Sequence, residues 1–298
     1  MGTITEGTLD LSDGRRLGYS EWGPAGAPPV IYCHGSPGNR LELGIARSVI
    51  ERHGVHARVV AFDRPGFGLS TFRPSHRFVD WPGDVAEATD ILGIERFALL
   101  GASGGSPFAL ACGRALGSRV THIGIVVGSG PLEATGMRDA LAITLPSSNG
   151  LLRRLQYGMI AYAFEKGRED RVIEQSIASM GEADQAAMER PEVRAWFGGL
   201  FREAVKQGGR AAAYEAGLYR KPWGFDVSQV ETPTSLWYGG KDEHVPASVG
   251  RWLAERIPNS SYVLWSDHGH FTWAVGGEVA EVVATLAEAG RRSDPASG

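Results

Sequence analysis

Over the first 130 positions, apolar residues fall into short runs separated by turn-forming and helical stretches. Pro29-Val30-Ile31-Tyr32-Cys33, Arg58-Val59-Val60-Ala61-Phe62 and Phe97-Ala98-Leu99-Leu100-Gly101 are almost continuously apolar or small. Runs of that length and character predict strands buried on both faces. Between them lie helical patterns, such as Asp84-Val85-Ala86-Glu87-Ala88-Thr89-Asp90-Ile91-Leu92, and a further buried run, His122-Ile123-Gly124-Ile125-Val126-Val127, closes the first half. Ahead of these, Thr8–Leu11 and Arg16–Ser20 flank Ser12-Asp13-Gly14-Arg15, whose Asp-Gly step predicts a hairpin. Buried strands alternating with helices predict an α/β class, with a mostly parallel sheet covered on both faces.

The pattern changes between Gly130 and about Val230, where strand-like runs give way to apolar positions at helical spacing. Val193, Trp196, Phe197, Leu200, Phe201, Ala204 and Val205 form one i, i+3, i+4 stripe. The strand pattern resumes near Thr232, with Ser235-Leu236-Trp237-Tyr238 and then Tyr262-Val263-Leu264-Trp265. The expected organisation is one core domain, 1–130 and 231–298, interrupted after the sixth strand by a helical insertion, 131–230.

Composition narrows the function classes. The 298 residues carry 34 acidic and 30 basic side chains, net charge −4, with 43% hydrophobic residues. Acidic residues are interspersed and no basic run exceeds pairs such as Arg153-Arg154, so no nucleic-acid footprint is visible. No apolar stretch reaches membrane-span length, and Met1-Gly2-Thr3-Ile4-Thr5-Glu6 does not read as a signal peptide, so a cytoplasmic location without a membrane partner is expected. Cys33 and Cys112 are expected to be buried free thiols, and Arg291 to Gly298 a disordered tail.

Chemistry enters at Gly101-Ala102-Ser103-Gly104-Gly105, a G-x-S-x-G pattern between a strand-like run and the helix-like Pro107-Phe108-Ala109-Leu110-Ala111-Cys112. A serine on so sharp a strand-to-helix turn has a strained backbone and needs small neighbours. The alternative is a serine that merely caps the helix; Ser106 is a weaker nucleophile candidate because Phe108 stands where a second motif would need glycine. A nucleophilic serine requires a base and an acid that orients it. Asp242 follows the run ending at Tyr238, with Glu243 as a competing acid; His270 follows the run ending at Trp265, with His268 as a competing base. Asp267-His268-Gly269-His270 also contains zinc-ligand residue types, but no second histidine cluster at ligand spacing accompanies it.

The chain order Ser103, Asp242, His270 resembles that of the α/β-hydrolases. His34-Gly35-Ser36-Pro37-Gly38 resembles that family's H-G-x-P-G loop, and Asp63-Arg64-Pro65-Gly66-Phe67-Gly68-Leu69-Ser70 its D-x-x-G-x-G-x-S turn. The resemblance implies an eight-stranded α/β-hydrolase fold with an inserted helical cap. It also implies catalysis by Ser103, Asp242 and His270 without a cofactor or metal, and an oxyanion hole from the backbone N–H groups of Ser36 and Gly104. His34 would buttress the oxyanion loop, whereas His53, His56, His76 and His122 have no expected chemical role.

The expected substrate is a small acyl compound, a carboxylic ester or lactone, with Met137, Leu141, Met159, Tyr162, Phe164, Trp196 and Phe197 as residues able to line its pocket. Serine in place of aspartate at the elbow separates the chain from epoxide hydrolases and haloalkane dehalogenases of this fold. Cleavage of a C–C bond in a vinylogous diketone and peracid formation stay open. So does aminopeptidase chemistry, for which Glu165, Glu169, Asp170, Glu203 and Glu215 are available carboxylates. A ligand-binding receptor on a hydrolase scaffold is the alternative from outside enzymology, and the oligomeric state, a homodimer included, is left open.

Overall fold

The computed structural model describes residues 4–144 and 148–292. Its eight strands are β1 (Thr5–Asp10), β2 (Arg16–Trp22), β3 (Pro29–Cys33), β4 (Arg58–Phe62), β5 (Phe97–Ala102), β6 (Val120–Val126), β7 (Thr234–Gly239) and β8 (Ser260–Trp265). They form one sheet in the order β1-β2-β4-β3-β5-β6-β7-β8. β2 runs antiparallel to both β1 and β4, and every other neighbouring pair is parallel. The hairpin falls at the expected Asp13-Gly14 step, where Gly14 adopts a φ of 82°.

Side chains alternate across the central strands into two cores. Ile31, Cys33, Val60, Phe62, Leu99 and Leu236 meet α2 (Trp81–Ile91), α3 (Ser106–Leu116) and α10 (Ala247–Ala254) on one face. Val30, Tyr32, Val59, Ala61, Leu100 and Trp237 meet α1 (Arg47–Arg52), α11 (Thr272–Val275) and α12 (Glu278–Arg292) on the other. Each central strand feeds both cores, which is why its sequence reads as an unbroken apolar run.

Among the described residues between β6 and β7 lie six α-helices: α4 (Met137–Thr144), α5 (Gly150–Glu165), α6 (Asp170–Ala178), α7 (Glu182–Met188), α8 (Pro191–Ala204) and α9 (Arg210–Leu218). On α8 the expected stripe is seated inward, with Val193, Phe197, Leu200 and Ala204 buried. At the other end of the chain, Arg291 and Arg292 finish α12 instead of beginning a tail, and residues 293–298 lie outside the described residues. Cys33 and Cys112 are free and buried.

The turn after β5 is tight. Ser103 has a φ of 49°, in the left-handed region that costs a non-glycine residue energy. Gly105 passes so close to β3 that a Cβ there would stand 1.9 Å from the Cys33 carbonyl oxygen. Because that neighbour is backbone inside the sheet, it cannot yield cheaply. Gly105→Ala is expected to destabilise the protein by about 3 kcal/mol or more, measured as a lowered urea midpoint at unchanged m-value.

Candidate active site

Ser103, Asp242 and His270 come from three loops at the C-terminal ends of parallel strands β5, β7 and β8, an edge where open α/β sheets gather their ligands. His270 Nε2 stands 2.9 Å from Ser103 Oγ, and His270 Nδ1 stands 2.8 Å from Asp242 Oδ2. The other Asp242 oxygen accepts the N–H groups of His244 and Val245, both at 2.8 Å, so the carboxylate is fixed from two sides. The competing residues lie elsewhere: Glu243 is exposed and His268 Nε2 meets Glu278 at 3.1 Å. Ser106 is buried within α3.

The loop after β3 faces the elbow. A Cβ placed on Gly104 would lie 3.1 Å from the Ser36 backbone nitrogen, so the loop and the elbow meet at the two expected donors. Their spacing rests on a buried ion pair. Arg64 Nε and one terminal nitrogen bind the two Glu215 oxygens at 2.6 and 2.7 Å, both side chains without exposed surface. The guanidinium also donates to the carbonyls of His34 at 2.5 Å and Gly35 at 2.8 Å. Tyr219, one turn along from Glu215, donates its phenol to the Gly104 carbonyl at 2.7 Å. His34 buttresses the loop as expected: Nδ1 lies 2.8 Å from the Gly35 carbonyl and Nε2 accepts the Arg64 N–H at 3.2 Å. Burial and the neighbouring guanidinium hold its imidazole well below the ordinary value, hence neutral.

Electrostatics around His270 are set by carboxylates. Burial by itself would push its pKa down, but Asp242, then Asp184 and Glu42, outweigh burial and hold it above the ordinary 6.5. Asp184, on α7, accepts the backbone N–H groups of His270 and Phe271, both at 2.7 Å. Glu42 accepts the Tyr32 hydroxyl at 2.6 Å and the Gly35 N–H at 3.0 Å, and burial raises its pKa. The His244 ring stacks on His270, centroids 5.0 Å apart, and burial with the neighbouring imidazole pushes it down to about 4.

A cavity of about 270 Å³ opens over Ser103 and is lined by Met137, Leu141, Trp196 and Phe197 among other apolar side chains. Three of the seven expected lining residues are not there. Met159 and Tyr162 are 65% and 55% exposed because they sit on the outer face of α5, while its inner residues Tyr157 and Ile160 reach the cavity. Phe164 is buried against Phe201, its ring stacked at 6.3 Å. No lysine or arginine lines the cavity, and Glu42 is its sole acidic lining residue among the described residues.

The five insertion carboxylates weighed for amine recognition do not line it either. Glu215 is held by Arg64, Glu203 by Arg40, Glu169 by Arg202 and Glu165 by Lys166. Sequence reasoning missed Asp184, Glu42, Tyr219 and His244 at this site. Each is a common residue type outside any motif, and only the close of the fold brings it near Ser103.

The model of the alpha/beta hydrolase fold family matches residues 28–275, and the chain belongs to that family. A 2-hydroxy-6-oxononadienedioate/2-hydroxy-6-oxononatrienedioate hydrolase of Pseudomonas putida is 26% identical over 280 residues, covering 91% of this chain and 88% of the relative. A non-heme chloroperoxidase of Streptomyces lividans is 34% identical over 123 residues, covering 40% of this chain and 44% of the relative. The chain thus spans under half the length of that relative, as it does of an uncharacterized yeast hydrolase, of which 44% is covered. In structure, a thermophilic esterase from Thermogutta terrifontis superposes with a TM-score of 0.69 at 21% identity, covering 98% of this chain and 99% of that one.

Two outcomes are expected. Glu215→Ala leaves the Arg64 guanidinium buried and unpaired, which should cost about 3–5 kcal/mol in chemical denaturation. Because His270 must be neutral to accept a proton and its pKa is raised, the reaction of Ser103 with a fluorophosphonate should fall with pH along an acid limb centred above 6.5.

Proposed function

We propose that this chain is a serine hydrolase that cleaves a small, uncharged carboxylic ester or lactone through an acyl-enzyme. The observation that carries the reading is the continuous line Ser103 Oγ, His270, Asp242, with contacts of 2.9 and 2.8 Å, at the floor of an apolar cavity. On this reading residues 131–230 act as a cap domain over a core of 1–130 and 231–298.

His270 Nε2 takes the Ser103 proton as Oγ attacks the carbonyl carbon, and Asp242 stabilises the imidazolium. The Ser36 and Gly104 N–H groups hold the oxyanion of the tetrahedral intermediate. The imidazolium returns its proton to the departing alkoxide, leaving Ser103 acylated. Water then gives a proton to His270 and its oxygen to the acyl carbon, and as the second intermediate collapses His270 returns that proton to Ser103 Oγ, releasing the acid and restoring the serine.

Cavity chemistry favours an uncharged acyl group: apolar walls supply burial, and a free carboxylate would find no lysine or arginine to pair with among the described lining residues. C–C bond hydrolysis is the second reading, favoured by the relative matched along 91% of this chain. That relative is named for dioate substrates, which the absence of lysine and arginine from the lining here does not favour. Aminopeptidase chemistry loses support, since the carboxylates weighed for it stand outside the cavity.

Fluorophosphonate labelling should modify Ser103, and Ser103→Ala or His270→Ala should abolish it while lowering ester turnover at least about a thousandfold. Ser36→Ala should keep turnover within about tenfold of wild type, because a backbone donor survives the substitution. An unlabelled, folded wild type that is nevertheless stabilised by acyl ligands would replace this reading with that of a receptor.

A further inference from the structure

Asp184 belongs to none of the motifs that mark the site, and in the sequence it is only an acidic residue in the first turn of α7, where negative charge suits a helix N-terminus. The fold gives it another surrounding. Its side chain is buried, and each of its oxygens accepts one of two successive backbone N–H groups, His270 on Oδ2 and Phe271 on Oδ1. Burial raises its pKa, and the charged groups that act on it most are His270 and Asp242. A buried carboxylate without a cation is costly unless donors replace its water, and here the donors are the main chain of the loop that carries the base.

Other contacts tie the same part of the insertion to both C-terminal loops. Gly181, at the start of α7, packs on the Glu243 side chain next to Asp242. Phe271 packs edge-on against Phe197 and Trp196 of α8 on one side, and against His270 and His244 on the other. Ser103 is set by the β5–α3 turn, with Tyr219 of the insertion on the neighbouring Gly104 carbonyl, and Asp242 by its own loop's N–H groups. The loop that carries the base takes two of its hydrogen bonds from the insertion.

We propose that Asp184 is a positioning residue through which the insertion holds the His270 loop in register, so that a competent base exists only while α7 is seated on the core. The proposal rests on the serine-hydrolase reading. Asp184 also adds negative charge beside the imidazole, together with Asp242 and Glu42, while His244 contributes none as a neutral ring.

The test compares wild type, Asp184→Asn and Asp184→Ala by kcat and KM on a neutral ester, by the rate of fluorophosphonate labelling across pH, and by the downfield proton resonance of the Asp242–His270 hydrogen bond. Asp184→Ala should lower kcat about 10- to 100-fold with KM little changed, as expected of a slightly misplaced catalytic group, and should broaden the downfield resonance. Asp184→Asn retains the volume and one acceptor but not the charge. It should move the acid limb to lower pH, because the imidazolium loses a stabilising neighbour.

If both variants label at the wild-type rate with an unshifted acid limb, Asp184 is a clamp of the fold alone and the proposal fails, whatever happens to Tm. Should Asp184→Ala not fold, the acid limb and resonance of Asp184→Asn decide by themselves. An inert wild type overturns the hydrolase reading and this inference with it, whereas an active wild type with equally active variants removes only the role of Asp184.

Discussion

The fully buried Arg64 guanidinium is the contact on which the geometry over the elbow depends. It cannot shed its charge, so the N–H groups around its edge need acceptors. Glu215 comes from the insertion and the carbonyls of His34 and Gly35 from the loop after β3, so one side chain joins two parts of the chain that lie far apart in sequence. Satisfying the guanidinium fixes where those carbonyls point, and thereby where the following Ser36 N–H is presented. Tyr219 adds a second tie from α9's C-terminal end to the Gly104 carbonyl. Burial of a charge therefore sets the shape of the candidate oxyanion site, although no charge is left at its surface.

The base is governed by the opposite sign. Asp242, Asp184 and Glu42 all raise the pKa of His270, while the neighbouring His244 is kept neutral. An imidazolium formed at His270 would meet three carboxylates that favour it. The two halves of the site are thus differently built: a cation behind the loop that would stabilise an oxyanion, and anions around the group that would become positive.

Much of this architecture was legible because local rules dictate it. Central strands such as Val30–Cys33 and Phe97–Leu100 read as unbroken apolar runs since both faces are buried, and the Asp13-Gly14 turn announced its hairpin. Ser103, Asp242 and His270 were legible because strand-end turns impose small residues around them. Asp184 and Glu42 were not, since a lone acid on a helix is ordinary in sequence: Asp184 acquires meaning only from N–H groups some 86 residues away, and Glu42 only from the fold of the loop that turns Gly35 and Tyr32 toward it. The insertion was legible as helices but not as orientation: Met159 and Tyr162 share α5 with Tyr157 and Ile160, and a helix apolar on both faces does not disclose which one turns inward.

The cation-free lining of the cavity bears on how a turnover would end. Ester hydrolysis converts an uncharged acyl group into a carboxylic acid, which is ionised at neutral pH. That anion would be released into a space with Glu42 in its wall, Asp242 and Asp184 close behind, and no lysine or arginine to detain it. On the proposed reading, the carboxylates that raise the pKa of His270 would also favour departure of an anionic product. Their field would likewise disfavour the return of a free carboxylate to Ser103, so the site would take neutral acyl donors in preference to the acids they become.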